Sequence, residues 1–510
     1  MMRRMVRRWL TFLLGVALAG CGGEGRLLIT LQRPSVKAFD PMVDVRLSRF
    51  NLRVIQGSQQ SDQETVRTER TELQVGSVPV GEAFDLRLAG KSGTGQMLGL
   101  GLVFDLRVPG EDELPVEVKF RKPIGFVAGN QGIEQLDTTA INSVNIHSEP
   151  PIAAPNAADV AASPDGTWIA VVSGAQLASF LTYDRRKWAD VKLKAPGTCV
   201  AVSPDSRYAV VCHDDGTLSI VDMDRLAENR LDIRQVQVGG KPTKVIFGRN
   251  RTQAAVLING TDYTTGCSVQ SRVVDVDVSQ AVKLREVQLN EAVADMAVDL
   301  RDGRMLLALP CKSQLGRING STVEKAIDLP GGVYDLAVTD QYVVMLGTRP
   351  ASQTSSGALE GETVLVDLNK QAFSTQNKRF YPPSLAVWFT GSGGEGAVGW
   401  LADTEDFTIH DVSVSPDGQR ALALYRASYS SNTQFENCIY ESSMTAHGMM
   451  LLDLTVDRVV YWLMTTLQIS KCSICGSDCS ADMRTALKQG AALADPEYTP
   501  KGTAMLFGGS

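Results

Sequence analysis

The ten residues KCSICGSDCS, Lys471 to Ser480, hold three cysteines: Cys472, Cys475 and Cys479. Thiols at that density can ligate a metal, oxidise to disulfides or exchange electrons. With the distant Cys438, the C-x2-C-x3-C spacing supplies four sulfurs, enough for a tetrahedral zinc site or for two disulfides. The Cys472-Ser473-Ile474-Cys475 tetrad has redox spacing, but no βαβ pattern surrounds it. The chain has nine cysteines in all, the others being Cys21, Cys199, Cys212, Cys267 and Cys311.

Other chemical patterns are sparse. The four histidines, His147, His213, His410 and His447, show no metal spacing such as H-E-x-x-H. They read as surface or satisfied core residues, with His447 the one near enough in sequence to Cys438 to watch as a ligand. GSGGEG, with Gly391, Gly393 and Gly396, matches a dinucleotide loop by letter but lacks the flanking strand and helix, so a loop is expected. Asp214-Asp215-Gly216 has no further calcium-ligand pattern after it and reads as a turn. No nucleophile elbow is present. The expectation is therefore no catalytic set, no metal and no cofactor.

The choice among the cysteine chemistries depends on compartment. The chain opens MMRRMVRRWLTFLLGVALAGCGG, with Arg3, Arg4, Arg7 and Arg8 ahead of a short apolar run, Leu10 to Ala19. That run is too short to span a bilayer. Leu18-Ala19-Gly20-Cys21 resembles the lipobox of bacterial lipoproteins. The resemblance implies cleavage before Cys21 and acylation there, so residues 1–20 are read as a signal peptide and 21–26 as a lipidated tether. The absence of Asp after Cys21 leans, by the enterobacterial rule, toward the outer membrane, facing the periplasm or the cell surface. Cleavage removes four arginines and no acid, which takes the net charge from −7 to −11. An acidic chain argues against nucleic acid as a partner. Export leaves eight cysteines where thiols tend to be oxidised, so disulfides are favoured over zinc or redox activity.

The elements that would position these residues are strands. Over 27–120 apolar residues alternate with polar ones: Val43, Val45 and Leu47; Phe84, Leu86 and Leu88; Val116, Val118 and Phe120. Period two in short runs predicts an antiparallel β-sandwich, similar at a coarse level to immunoglobulin-like or transthyretin-like modules. From about residue 157 the chain repeats. AASPDGTWIAVVSG, AVSPDSRYAVVCHDDG and SVSPDGQRALALY each place a Pro-Asp turn between two apolar strands, and Ser163 and Ser203 are 40 residues apart. Pro fixes φ, Asp bonds its own backbone, and Gly accepts φ > 0. A second mark, two apolar residues then Asp, recurs at Asp222, Asp275, Asp367 and Asp453. Together these describe four-stranded units of about 40–45 residues. At this point 157–510 resembles the YVTN and TolB-like β-propeller families. The all-β expectation is thus a sandwich followed by a propeller of seven blades, or eight if the gap from Asp340 to Ser415 hides one. The final unit is truncated, so 121–156 is expected to act as a linker that lends closing strands, around IEQLDTTAINSVNIH.

In such a blade the loops after the second and fourth strands leave the same face. That placement lets Cys438, Cys472, Cys475 and Cys479 meet, and it pairs Cys267 with Cys311 across neighbouring blades. Cys199 and Cys212 flank one turn symmetrically, as a cross-strand disulfide or two buried thiols. The same face carries the long insertions Gly260 to Arg272, Gly347 to Gly361 and Arg426 to Gly448, where binding residues tend to gather. The expectation is a non-enzymatic binding scaffold for an envelope protein or glycan, held to the bilayer through Cys21. The barrel-assembly lipoproteins of outer membranes resemble it in this respect. The alternative is a periplasmic propeller enzyme, lactonase-like or quinoprotein-like, which would need carboxylates converging on the central channel. No such set is visible in the sequence.

Overall fold

The computed structural model describes residues 24–510 apart from 57–58, 68–71, 111–112, 141–149, 183, 229, 249, 262–265, 300–302, 321, 329–331, 339–341, 351–358, 368–371, 374–377, 381–384, 391–396, 436–437, 455–457, 475, 482–498 and 506–510. Cys21 and its lipobox, His147, the GSGGEG segment and Cys475 all lie outside the described residues. The architecture is almost entirely β-strand, and the chain divides into two compact units, 1–122 and 123–510.

The first unit has two sheets. One runs Glu72–Pro79, Glu24–Gln32, Glu113–Lys119. The other runs Gln59–Val66, Leu47–Gln56, Phe84–Ser92, Met97–Leu106. Alternate residues from both, including Leu27, Ile29, Phe50, Leu52, Leu86, Leu88, Val116 and Val118, share one apolar core. Two expectations need correction. Glu24–Gln32 and Glu113–Lys119 pair in parallel, so this sheet is mixed. A parallel pair needs a long crossover, which the intervening strands of the second sheet supply. Val43 and Val45 are also not strand residues facing the core. Pro41–Val43 is a 3-10 turn capped by the Asp40 carboxylate, which accepts from Met42 N, and Val45 is 93% exposed. The alternation begins only at Leu47.

The second unit is a series of sheets, each an antiparallel meander. The first is Ala157–Ala162, Trp168–Ser173, Gln176–Leu181 and Lys187–Lys192. The second is Gly197–Val202, Tyr208–His213, Thr217–Asp222 and Ile233–Gln237. The third is Pro242–Phe247, Gln253–Ile258, Arg272–Asp277 and Val282–Gln288, and the fourth Met296–Val298, Met305–Leu309, Gln314–Asn319 and Thr322–Asp328. The fifth starts with Gly332–Val338, Tyr342–Pro350 and Leu359–Asp367; the sixth is built on Ala397–Val414, Arg420–Phe435, Cys438–Asp453 and Arg458–Ile474. The seventh joins the two ends of the unit: Pro500–Met505 pairs with Ile124–Gly129, which pairs with Ile133–Asp137. Among the described residues, the gap from Asp340 to Ser415 holds strands of the fifth and sixth sheets and no separate meander.

The first strand of each sheet neighbours the first strand of the next, and Pro500–Met505 returns to Ala157–Ala162. This is a propeller-like arrangement, with apolar faces buried between successive sheets. Trp168, Ala170 and Val172 of the first sheet pack with Val200, Ala209 and Val211 of the second. The turns between first and second strands are built alike. Ser163 Oγ accepts from Trp168 N at 2.9 Å and donates to Asp165 at 2.7 Å. Ser203 does the same with Tyr208 N and Asp205, and Ser415 with Arg420 N and Asp417. Gly166 and Gly418 take positive φ there, and Ser206 stands in the same conformation at φ 61°.

Candidate functional site

Two features of the second unit carry polar or covalent chemistry. The first is a platform at one end of the strands, opposite the tight Ser-Pro-Asp turns. Strands in the first three sheets run five to seven residues. In the sixth sheet three consecutive strands run 16, 16 and 17 residues. The excess is about ten residues, or about 30 Å of extra reach. The expected long loop Arg426 to Gly448 is therefore a correction. It is a continuation of the strand pair, registered from Arg426↔His447 out to Phe435↔Cys438. Alternation of apolar and small polar residues in RASYSSNTQF allows it: Ala427 and Tyr429 are buried, and Met444, Ala446 and Leu467 face them in one apolar cluster. Gly347 to Gly361 is likewise strand at both ends, paired through Thr348↔Gly361 to Pro350↔Leu359. The strands that carry it, Tyr342–Pro350 and Leu359–Asp367, neighbour Ala397–Val414.

Cysteines sit on this end. Cys472 is on the strand Arg458–Ile474 rather than in a connection, and it is bonded to Cys479 across a tight hairpin, Cα to Cα 5.3 Å. Cys438 lies at the tip of its strand, while the register places Cys472 opposite Ser442. Cys267 and Cys311, each in a 3-10 turn, form a disulfide that ties the third sheet to the fourth. Cys199 and Cys212 are direct cross-strand partners and are bonded at a Cα separation of 5.0 Å. His447 lies on the extended pair, where burial and then Arg426 lower its pKa, so it is neutral at pH 7. His213 is a satisfied core residue, bonded to Pro196 O at 3.0 Å and Ser219 Oγ at 2.7 Å. Asp215 closes a turn on Thr217, with Gly216 at φ 82°. Among the described residues no group of three or more His, Cys, Asp or Glu side chains is arranged to hold a metal ion.

The second feature is one that the sequence reading missed. One position recurs on the first strand, or immediately before it, in all seven sheets: Asp159, Cys199, Lys244, Asp295, Asp335, Asp411 and Gly502. In six of them a register shift falls just before this residue, and in the fourth sheet Asp295 stands just before the strand. At three of these positions, Asp159, Asp295 and Asp411, the side chain reaches the free edge of the next sheet. Such an edge carries unpaired N–H groups, which need partners. Asp159 accepts from Val200 N at 2.8 Å, and Asp295 accepts from Leu336 N at 2.9 Å. Asp411 accepts from Thr503 N. Lys244 Nζ lies 3.3 Å from Asp295 and 3.9 Å from Asp335. Four carboxylates from four sheets thus converge near one ammonium.

The electrostatics follow from that geometry. Burial pushes the Asp159 carboxyl up to about 7, with Asp411 adding to the rise and the amides of Val200 and Val160 opposing it. Burial, then Asp295, raises Asp335 well above the usual carboxylate range, and burial raises Asp411. For Lys244 burial acts to lower the pKa, but Asp295, Asp335, Asp411 and Asp159 together outweigh it, so the amine stays charged. One oxygen of Asp335, a residue 4% exposed, has no hydrogen-bond partner.

No protein-family model and no curated protein matches this sequence. Among solved structures, the chain is similar to hydrazine synthase of Kuenenia stuttgartiensis, with 14% identity and a TM-score of 0.40 over 56% of this chain and 80% of that one. It is also similar to the Cps50 (Swd1) beta-propeller domain of Myceliophteria thermophila, with 12% identity and a TM-score of 0.40 over 61% of this chain and 87% of that one.

Proposed function

We propose that this chain is an extracytoplasmic lipoprotein whose second unit is a closed seven-bladed propeller, preceded by a sandwich module and used as a binding scaffold. Cys21 carries the anchor, and the partner is an envelope protein or glycan. One observation carries the reading: the strand length in the sixth sheet, 16 to 17 residues against five to seven in the first three, covalently closed by Cys472–Cys479 at its far end. A fold needs no such reach to close its ring. Strands held by their own ladders and by a disulfide lose little conformational entropy on binding, so a partner meets a surface already ordered.

The axial carboxylates favour a second reading, a propeller enzyme. Against it, Asp159, Asp295 and Asp411 each spend an oxygen on a backbone amide of the next sheet, and Lys244 occupies the space between Asp295 and Asp335. The scaffold reading therefore stands first. Its test replaces Ala427–Ala446 by a two-residue Asn-Gly turn and compares partner capture from detergent-solubilised envelopes. The expected result is loss of a specific partner by a protein that stays folded, with a lowered melting temperature because buried Ala427, Tyr429, Met444 and Ala446 leave their cluster. Equal capture by both proteins rules out the platform as the recognition element.

A further inference from the structure

We propose that the axial carboxylates form a proton-binding site that clasps Pro500–Met505, the strand that closes the ring. The two flanks of that strand carry the argument. On one side, Asp411 of the sixth sheet accepts the amide proton of Thr503. On the other, Asp159 of the first sheet lies so close to Gly502 that a Cβ at Gly502 would collide with its Oδ1. The closing strand is thus gripped between two carboxylates, and glycine is the residue that lets the second approach. Like charges on both flanks repel through the strand they hold, and a proton on one of them relieves this.

Few other charges face Asp159. From its own sheet and the next, its contacts are the amides of Val160 and Val200, and the equivalent position in the second sheet is the disulfide-bonded Cys199. Ile124–Gly129 has no ionisable side chain, and Lys501 of the closing strand is exposed. Lys244 is the cation in range, and Asp295 and Asp335 already share it. Opening the clasp returns Asp159 to water, where its carboxyl has the ordinary value of about 3.9. The closed form therefore binds a proton that the open form does not between about pH 4 and pH 7. Its folded value of about 7 makes the opening equilibrium rise about tenfold between about pH 6 and about pH 8.

Amide hydrogen exchange on the mature chain reads this directly. After correction for intrinsic exchange rates, protection of the amides of Lys501–Met505 should fall about tenfold from about pH 6 to about pH 8, with Trp168–Ser173 as an internal reference that falls less. In Asp159→Asn the fall should disappear. Unchanged protection in the native chain, an equal fall in the reference strand, or the same fall in Asp159→Asn would each overturn the clasp. If Asp159→Asn does not fold, Asp411→Asn takes its place. Removing the repelling charge should move the transition to lower pH, and an unmoved transition overturns the proposal.

Discussion

Lys244 is the residue on which most of the axial charge depends. Its ammonium is held between Asp295 and Asp335, and its pKa stays above the ordinary value. The sign for stability is plain. A lysine raised on folding contributes fully below its unfolded value of about 10.4, and that contribution is lost only above it. Asp159 and Asp335, raised on folding, bind more protons folded than unfolded, so they make the chain less stable as pH rises from about 4 upward. Lys244→Met should therefore cost about 3–5 kcal/mol at about pH 8, because it leaves buried carboxylates unpaired. The cost should shrink at about pH 5, because Asp159 and Asp335, both raised by burial, take up protons more readily there and shed part of the unpaired charge. Denaturant unfolding at both values checks this, and a pH-independent cost would assign the loss to packing instead. None of this was read from the sequence, yet a signal was there. Asp159, Cys199, Lys244, Asp295 and Asp411 each stand four residues before the first residue of the following turn: Ser163, Ser203, Gly248, Asp299 and Ser415. Aligning the repeats on their turns, rather than on their apolar runs, puts three acids, a lysine and a cysteine in one column.

At the scale of strands and sheets, the local rules were legible where one face is buried and one is not. Ser-Pro-Asp turns, period-two runs such as Phe84, Leu86 and Leu88, and the Asp at the end of the third strand all report local geometry. Asp222, for example, holds Arg207 at 3.0 Å and Asp453 holds Arg420 at 3.2 Å. Strand length was not legible in Arg426 to Gly448. Its serines, threonines and asparagine read as loop, because the alternation there is between small polar residues and spaced aromatics. Tertiary partners, not intrinsic preference, make it a ladder. The parallel pairing of Glu24–Gln32 with Glu113–Lys119 was also hidden, since pairing direction leaves no mark in an alternating run. Closure by Ile124–Gly129 and Ile133–Asp137 gives a prediction at this scale. A chain beginning at residue 138 exposes the edge of Pro500–Met505. It should melt at least several degrees below one beginning at residue 123, by about the amount that one lost sheet edge and its buried Phe126, Val127 and Leu136 dictate. Equal melting points would show that these strands add nothing to the ring.

For the whole molecule, the reading joins an anchor, a first unit and a ring-shaped second unit. Among the described residues no helix is long and apolar enough to cross a membrane. If Cys21 is the anchor, Cys21→Ser should move the protein from the membrane pellet to the soluble fraction without detergent, with unchanged hydrogen-exchange protection in both units. Retention in the pellet would put the attachment elsewhere. The seam of the ring also sets an order of events during manufacture. Thr499 N bonds to Asn130 Oδ1 across 369 positions of sequence. The chain is made from its N-terminus, so Ile124–Gly129 is delivered long before its partner and waits with one edge bare until Pro500–Met505 follows. Such an edge is an invitation to pair with whatever strand is near. A ribosome that stops short of Pro500 yields a product without the strand that covers Ile124–Gly129, and that open edge marks it for proteases and chaperones.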